Sequence, residues 1–209
     1  MALSTQEVEF YQRWRQKAQT YELCAQADSQ PIDLGGTEQC IDKFFTLFVV
    51  YNTLYSKVAL TLQKEALQAG KDEYKWVDGR FPDDHAATDY INAFLGSTSL
   101  INALEASDST KGAINDLIVV LGQFNIALDP LTGFPNKERD EEFLNNLRGG
   151  NDFNRAMAIL RIIYNVRCNM FHGRKDLHSV QGRLLIPLIV LLEKIIELVY
   201  RRLNRRNPS

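Results

Sequence analysis

Apolar residues along this chain recur every three or four positions, the spacing that places them on one face of an α-helix. No segment alternates apolar and polar residues for long enough to predict a sheet. The chain is therefore expected to be all-α, a single-domain helical bundle of about five to seven helices that occupies residues 1–209. The predicted helices cover about 5–28, 38–68, 84–106, 109–127, 138–148, 152–172 and 183–206.

Polar and conformationally special residues mark the expected helix boundaries. A break is expected at Gly96, inside the third helix. Because proline fits only the first turn of a helix, Pro187 predicts that the last helix begins near Leu185. The expected N-caps are Ser4 or Thr5 for the first helix, Thr37 for the second, and Asn151 or Asp152 for the sixth.

The charge is unevenly distributed along the chain. The formal net charge is −2, but residues 1–147 carry 12 Lys/Arg against 22 Asp/Glu, whereas residues 148–209 carry 12 against 4. A basic last third favours a polyanionic partner. The alternative is that arginines such as Arg201 and Arg205 only complement the negative end of the last helix.

The cysteines and the apolar segments indicate the cellular compartment in which the protein is expected. Cys24, Cys40 and Cys168 are widely spaced and lack a CxxC pair, which favours neither a disulfide framework nor a zinc site. The start of the chain is polar and mixed, and the apolar run 184–192 is about half the length that a bilayer crossing needs. We expect a cytoplasmic protein without a membrane partner.

Two side chains near the end of the sixth helix are the candidates for chemistry. Arg167 lies in line with the apolar residues Leu160 and Tyr164, so its charge must meet a carboxylate, reach a cleft or hold a phosphate. His172 precedes Gly173, a typical helix-ending residue, and the negative helix end would favour its imidazolium form. Acid–base chemistry is one interpretation of this pair, and a helix cap with an ion pair is the other.

Three further polar residues complete the candidate list. Asn52 falls on the apolar stripe of the second helix, where a buried amide either ties two helices together or lines a site. His85 is expected at the surface. His178 follows the 167–172 segment and is a candidate for the same cleft.

The segment Arg167-Cys168-Asn169-Met170-Phe171-His172-Gly173 resembles the R-x4-6-H motif of the HEPN superfamily (higher eukaryote and prokaryote nucleotide-binding domains). The preceding residues 159–166 and the basic Arg174-Lys175 also resemble that family. The aromatic segment 43–55 is similar to the early helix of Apea-like and related bacterial HEPN proteins. The two motifs come in the family's order and, with the last helix, cover most of the chain.

The resemblance implies an all-α homodimer and a metal-independent endoribonuclease of toxin–antitoxin or antiviral systems. His172 would be the general acid/base, Arg167 would hold the phosphate, and Asn169 would orient the phosphate or the histidine. Arg174 and Lys175, with Asn52, are the predicted substrate-binding residues. RNA is the predicted substrate, an antitoxin or defence-system protein is the further predicted partner, and neither a metal nor another cofactor is expected.

Two positions depart from the family pattern. Nuclease members commonly carry a polar residue after the arginine, where this chain has Cys168. A cysteine there is interpreted as a small buried apolar residue, which weakens the catalytic interpretation. Members silenced by a nucleotidyltransferase often carry a tyrosine two residues after the histidine, where this chain has Arg174. Silencing of that type is not expected. The alternatives are a HEPN module that binds RNA, a nucleotide or a protein without cleavage, and a structural bundle with Arg167 ion-paired in the core.

Overall fold

A computed structural model of the chain describes residues 3–21, 34–74, 81–123, 126–129, 132, 134–171 and 179–205. The predicted all-α class is confirmed, because the described residues form helices and only one isolated β-bridge, between Leu128 and Pro135. The helices are α1 Thr5–Gln19, α2 Leu34–Gln68, α3 Asp83–His85, α4 Ile91–Leu95, α5 Ser97–Glu105, α6 Asp108–Gln123, α7 Lys137–Gly149, α8 Asp152–Phe171 and α9 Ser179–Arg205, with a π-helical segment Ala86–Tyr90 that joins α3 to α4.

Side-chain caps fix the beginnings of α1 and α8. Ser4 accepts from the backbone N–H of Glu7, whose carboxylate accepts from the Ser4 N–H, so the predicted cap is a complete capping box. Asn151 accepts from the Asn154 N–H at 2.9 Å, which confirms the predicted cap of α8. The expected end of the first helix near residue 28 is wrong: α1 ends at Gln19, and the Thr20 hydroxyl donates to the carbonyl of Lys17.

The long helix α2 forms the centre of the bundle and packs against α1, α9 and the π-helical segment. It begins at Leu34, before the predicted N-cap Thr37, so that prediction is wrong. Thr37 is buried within the first turns of the helix. Thr37 therefore lies inside α2 and is not its N-cap.

A glycine divides the predicted third helix. Gly96 has φ +81°, a conformation that side-chain-bearing residues rarely adopt, and it separates α4 from α5. With α3, the π-helical segment and α4 counted as one continuous helix, the described residues contain eight helices, one more than the upper end of the predicted range. The extra helix results from this break.

The proline prediction for the last helix is wrong. α9 begins at Ser179, so Pro187 lies in its interior and deprives the helix of one N–H donor. The apolar side of α9 is buried along its length, including Leu188, Ile195 and Leu203, each 0% exposed. The burial of that stripe offsets a backbone cost of about 3 kcal/mol.

The segment Gly36–Gln68 of α2 is long and apolar enough, by length and composition, to cross a membrane. A central helix of a bundle passes the same test, and 56% of the apolar window is buried inside the protein. The expectation of no membrane partner rested on the apolar run 184–192 in α9 and not on this segment.

Candidate functional site

Arg167 lies in the last turns of α8 and reaches across to α2. Its guanidinium carbon is 5.3 Å from the centre of the Phe48 ring, and its Nη1 is 3.8 Å from the Sγ of Cys168. The residue as a whole is half-buried. An aromatic face attracts a cation without neutralising it, so Phe48 supports the guanidinium while its charge is kept.

The support under Arg167 belongs to a cluster of aromatic rings on α2. Phe48 packs edge-on against Tyr51 and Tyr55, with ring centres 5.6 and 6.5 Å apart. All three side chains are at most 3% exposed. The aromatic segment 43–55 of the sequence is therefore a core element, and its edge carries the candidate site.

The π-helical segment fixes this aromatic cluster from the other side. The Tyr51 hydroxyl donates to the carbonyl of Ala87, inside that segment. Burial raises the pKa of Tyr51 well above its ordinary value, and the neighbouring Tyr55 adds to the effect. Tyr51 is therefore a neutral donor at physiological pH.

Two more phenols lie close to Arg167. Burial raises the pKa of Tyr55, with Asp83 raising it further and Arg167 opposing. Burial also raises the pKa of Tyr164, next to Cys168. The Tyr55 hydroxyl is enclosed and has no hydrogen-bond partner among the residues that the structure describes. Both phenols are therefore uncharged at neutral pH.

Asp83 is a member of this site that the sequence analysis missed. It is exposed at the start of α3, and its charge acts on both Tyr55 and Tyr164. No local pattern in the sequence connects Asp83 with Arg167, 84 positions later. Only the packing of the π-helical segment against α2 and α8, with α3 attached to it, brings this carboxylate to the rim of the site.

The prediction that Asn52 is a buried amide is wrong, since its side chain is exposed. Asn52 is one helical turn after Phe48 and one turn before Tyr55, two residues that Arg167 approaches. It lies about 40° around the helix axis from Phe48, just past the buried arc of α2. An exposed amide does not link two packed helices, so that predicted role is excluded. The Asn52 side chain is accessible beside the site.

Asn169 has a defined structural partner. It is 9% exposed, and its Nδ2 donates to the carbonyl of Ile126 at 2.9 Å. The carboxylate of Asp140 accepts from the backbone N–H groups of Ile126 and Ala127, at 3.0 and 2.8 Å. The segment between α6 and α7 is thus held on both sides, by α7 and by the end of α8.

This bond fixes the position of the Asn169 amide but does not use all of its hydrogen-bonding groups. One Nδ2 proton is donated to the carbonyl of Ile126, which leaves the second Nδ2 proton and Oδ1. The remaining N–H can donate to a phosphate oxygen, and Oδ1 can accept from an imidazole N–H. Both predicted roles of Asn169 therefore stay open.

The rest of the predicted site lies outside the described residues. His172, Arg174, Lys175 and His178 all fall there, as does the helix end expected at Gly173, so their roles remain predictions. His85, expected at the surface, is exposed, with its Nδ1 3.1 Å from Asp89. In the described part of the chain, no group of three or more His, Cys, Asp or Glu side chains is arranged to hold a metal ion.

Comparison of the chain with protein-family models, with curated proteins and with solved structures finds no match. The resemblance to the HEPN superfamily therefore stands on the two sequence motifs alone.

Proposed function

We propose that the chain is a metal-independent endoribonuclease of the HEPN type, in which Arg167 holds the scissile phosphate and His172 transfers protons. The observation that supports this proposal is the position of Arg167, half-buried with its guanidinium 5.3 Å from the Phe48 ring. A guanidinium held in advance at a partly open surface needs little reorganisation to stabilise charge that develops on a phosphate.

The chemistry proceeds by attack of an RNA 2′-hydroxyl on the adjacent phosphorus. His172 removes the proton of the 2′-hydroxyl as general base, and an imidazolium protonates the departing 5′-oxygen as general acid. The P–O5′ bond breaks as the P–O2′ bond forms, which gives a 2′,3′-cyclic phosphate and a 5′-hydroxyl. Arg167 pairs with the non-bridging oxygens throughout, and Asn169 Oδ1 accepts from the imidazole.

The residues around this centre have supporting roles. Asn52, Arg174 and Lys175 bind the RNA next to the scissile phosphate. The raised pKa values of Tyr55 and Tyr164 keep both phenols uncharged beside Arg167, so neither competes with a phosphate as an anion. Two copies of the chain, paired as a homodimer, would supply the two imidazoles that base and acid catalysis require. A cytoplasmic role in a toxin–antitoxin or antiviral system, with an antitoxin or defence-system partner, completes the proposal.

The test is incubation of the protein with RNA in EDTA, followed by analysis of the new ends. We expect cyclic phosphate and 5′-hydroxyl ends from the wild type, and a loss of about 100-fold or more in rate from Arg167→Ala and from His172→Ala. Arg161→Ala, an exposed arginine on the same helix, is the matched control and should cleave normally. Cleavage that persists in both site variants, or that requires Mg²⁺, would contradict the proposal.

The second candidate function is a module that binds RNA, a nucleotide or a protein without cleaving. It is favoured by the contact between Cys168 and Arg167, and by the structural use of the Asn169 amide. RNA that is bound but stays intact, with an affinity that falls in Arg167→Ala but not in His172→Ala, would support this function over the nuclease.

A further inference from the structure

Three arginines in the last turns of α9 line one side of a cavity. Arg201, Arg202 and Arg205 face the junction of α4 and α5 across a space of about 360 Å³. The remaining lining residues are neutral: Leu95, Ser99, Leu100 and Leu198. The cavity thus combines three guanidinium groups with an apolar floor and contains no carboxylate among its described lining residues.

The charges around this cavity do not cancel. Glu197 is the acidic neighbour in α9, and its two carboxylate oxygens are shared between Arg201, at 2.5 Å, and Lys194, at 3.2 Å. Residues 194–205 hold four Lys/Arg and one Glu, a net charge of +3. One carboxylate divided between two cations leaves a positive field at the cavity.

Arg202 and Arg205 differ in their contacts with the rest of the protein. Arg202 donates from Nη1 to the carbonyl of Leu95 at 3.0 Å, and its guanidinium carbon is 5.4 Å from the Phe94 ring centre. That contact satisfies the C-terminal end of α4 and has a structural purpose. Arg205 is exposed, and no ion pair is seen for it within the described ranges. Arg205 lies in the last turn of α9, where its charge complements the negative helix end, and its exposed side chain can also meet a ligand.

The cavity is separate from the Arg167 site. Ser99 also lines a second space, next to Asn151 and Phe153 at the start of α8. Arg167 lies fifteen residues beyond Asp152 on that helix, a distance of about 22 Å along the axis. A ligand in the α9 cavity would not touch the residues that surround Arg167.

We propose that this cavity binds a phosphate group, carried either by an RNA backbone or by a free phosphate compound such as pyrophosphate. Guanidinium groups bind phosphate oxygens bidentately and keep their charge at every physiological pH. Ser99, in the first turn of α5, adds a hydroxyl and lies where backbone N–H groups lack helical acceptors. This binding does not depend on whether the chain cleaves RNA.

The test compares wild type with the double variant Arg201→Ala/Arg205→Ala, which leaves the structural contacts of Arg202 intact. The probes are pyrophosphate, measured by calorimetry, and a short 2′-O-methyl oligoribonucleotide, which cannot undergo 2′-hydroxyl attack. Arg13→Ala/Arg148→Ala removes the same charge from two exposed arginines on other helices and is the matched control. Arg205→Glu alone is a second variant, at an exposed position.

We expect the double variant to lose about tenfold or more in affinity, with the control within about twofold of wild type. For the oligonucleotide, the slope of log affinity against log salt should fall by about 0.7 for each lost phosphate contact. A loss of affinity for both probes, or for either alone, supports the site. The probe whose affinity falls shows whether the phosphate group belongs to RNA or to a free phosphate compound. Unchanged binding in the folded double variant, or an equal loss in the control, overturns the proposal.

Discussion

The guanidinium carbon of Arg167 lies 5.3 Å from the centre of the Phe48 ring, so the last turns of α8 depend on a side chain 119 positions earlier in the chain. This relationship positions a cation at the edge of an aromatic core. It also makes the proposed chemistry sensitive to a residue that touches no substrate.

Replacing Phe48 with leucine should therefore weaken RNA cleavage while the fold survives. Leucine keeps an apolar side chain but removes the ring face, a cation–π contact of about 0.5–2 kcal/mol. We expect the cleavage rate to fall several-fold, and the free energy of unfolding to fall by about 1 kcal/mol. Initial rates in EDTA and urea unfolding measure the two effects. An unchanged rate would show that the ring does not position Arg167.

Replacing Asn169 with alanine should destabilise the protein. The change leaves the buried carbonyl of Ile126 without its donor, at a cost of about 1–3 kcal/mol. Asn169→Asp should cost at least as much, because an ionised carboxylate has no proton to donate. Urea unfolding of both variants measures the losses.

The same bond is tested further by a double-mutant cycle with Asp140→Ala. Asp140 and Asn169 hold the same peptide segment from opposite sides, so their effects should couple by about 0.5–3 kcal/mol. Strict additivity would mean that the segment does not join the two helices.

The buried tyrosines predict a specific loss of stability in alkali. The pKa values of Tyr51, Tyr55 and Tyr164 are raised in the folded protein, mainly by burial. The unfolded chain then loses phenolic protons first, so the stabilisation is complete below about pH 10 and is lost as the pH rises above it. Stability measured between pH 8 and 11 should decline, with the last phenolates appearing together with unfolding. Ionisation of all eight tyrosines while the fold persists would contradict the assigned burial.

Replacing Tyr55 with phenylalanine isolates one of these groups. Since the hydroxyl has no partner among the described residues, its removal should be neutral or stabilise the protein by up to about 1 kcal/mol at pH 7. It should also reduce the alkaline decline. A clear loss of stability at pH 7 would instead reveal that the hydroxyl is used. Tyr51→Phe, which removes the bond to Ala87, is the contrasting variant and should destabilise.

Arg202 and Arg205 should differ in their effect on stability. Arg202→Ala removes the hydrogen bond to Leu95 and the contact with Phe94, and should cost about 1 kcal/mol. Arg205→Ala should change stability by no more than about 0.5 kcal/mol. Thermal unfolding of the two variants at equal ionic strength makes the comparison. Equal losses would contradict the distinction between a structural and a ligand-binding arginine.

The fold was largely predictable because helix periodicity is a local property. Most helix positions follow from the spacing of apolar residues, and the break at Gly96 follows from a residue type that tolerates a positive φ. The errors occur where distant packing overrides a local rule. Pro187 is accepted inside α9 because the stripe around it is buried by other helices, which no local pattern reveals.

The candidate site was less predictable than the fold. Arg167 was identified because an arginine in line with apolar residues is unusual. Asn52 was predicted to be buried, but the buried face of α2 ends between Asn52 and Phe48. The neighbouring helices determine where that face ends, and a local pattern does not show their positions. The bond from Asn169 to Ile126 spans 43 positions and ends in an irregular segment, so only the folded structure shows it.

The π-helical segment Ala86–Tyr90 carries one more residue per hydrogen-bonded turn than an α-helix would. Deleting a single residue there would restore α-helical hydrogen bonding with little rotation of the residues before it, because the π-turn winds its extra residue through nearly the angle of one α-helical turn. The change would fall on the segment itself, where the carbonyl of Ala87 accepts from the Tyr51 hydroxyl. The bond that fixes the aromatic cluster of α2 is thus tied to one extra residue in the neighbouring helix.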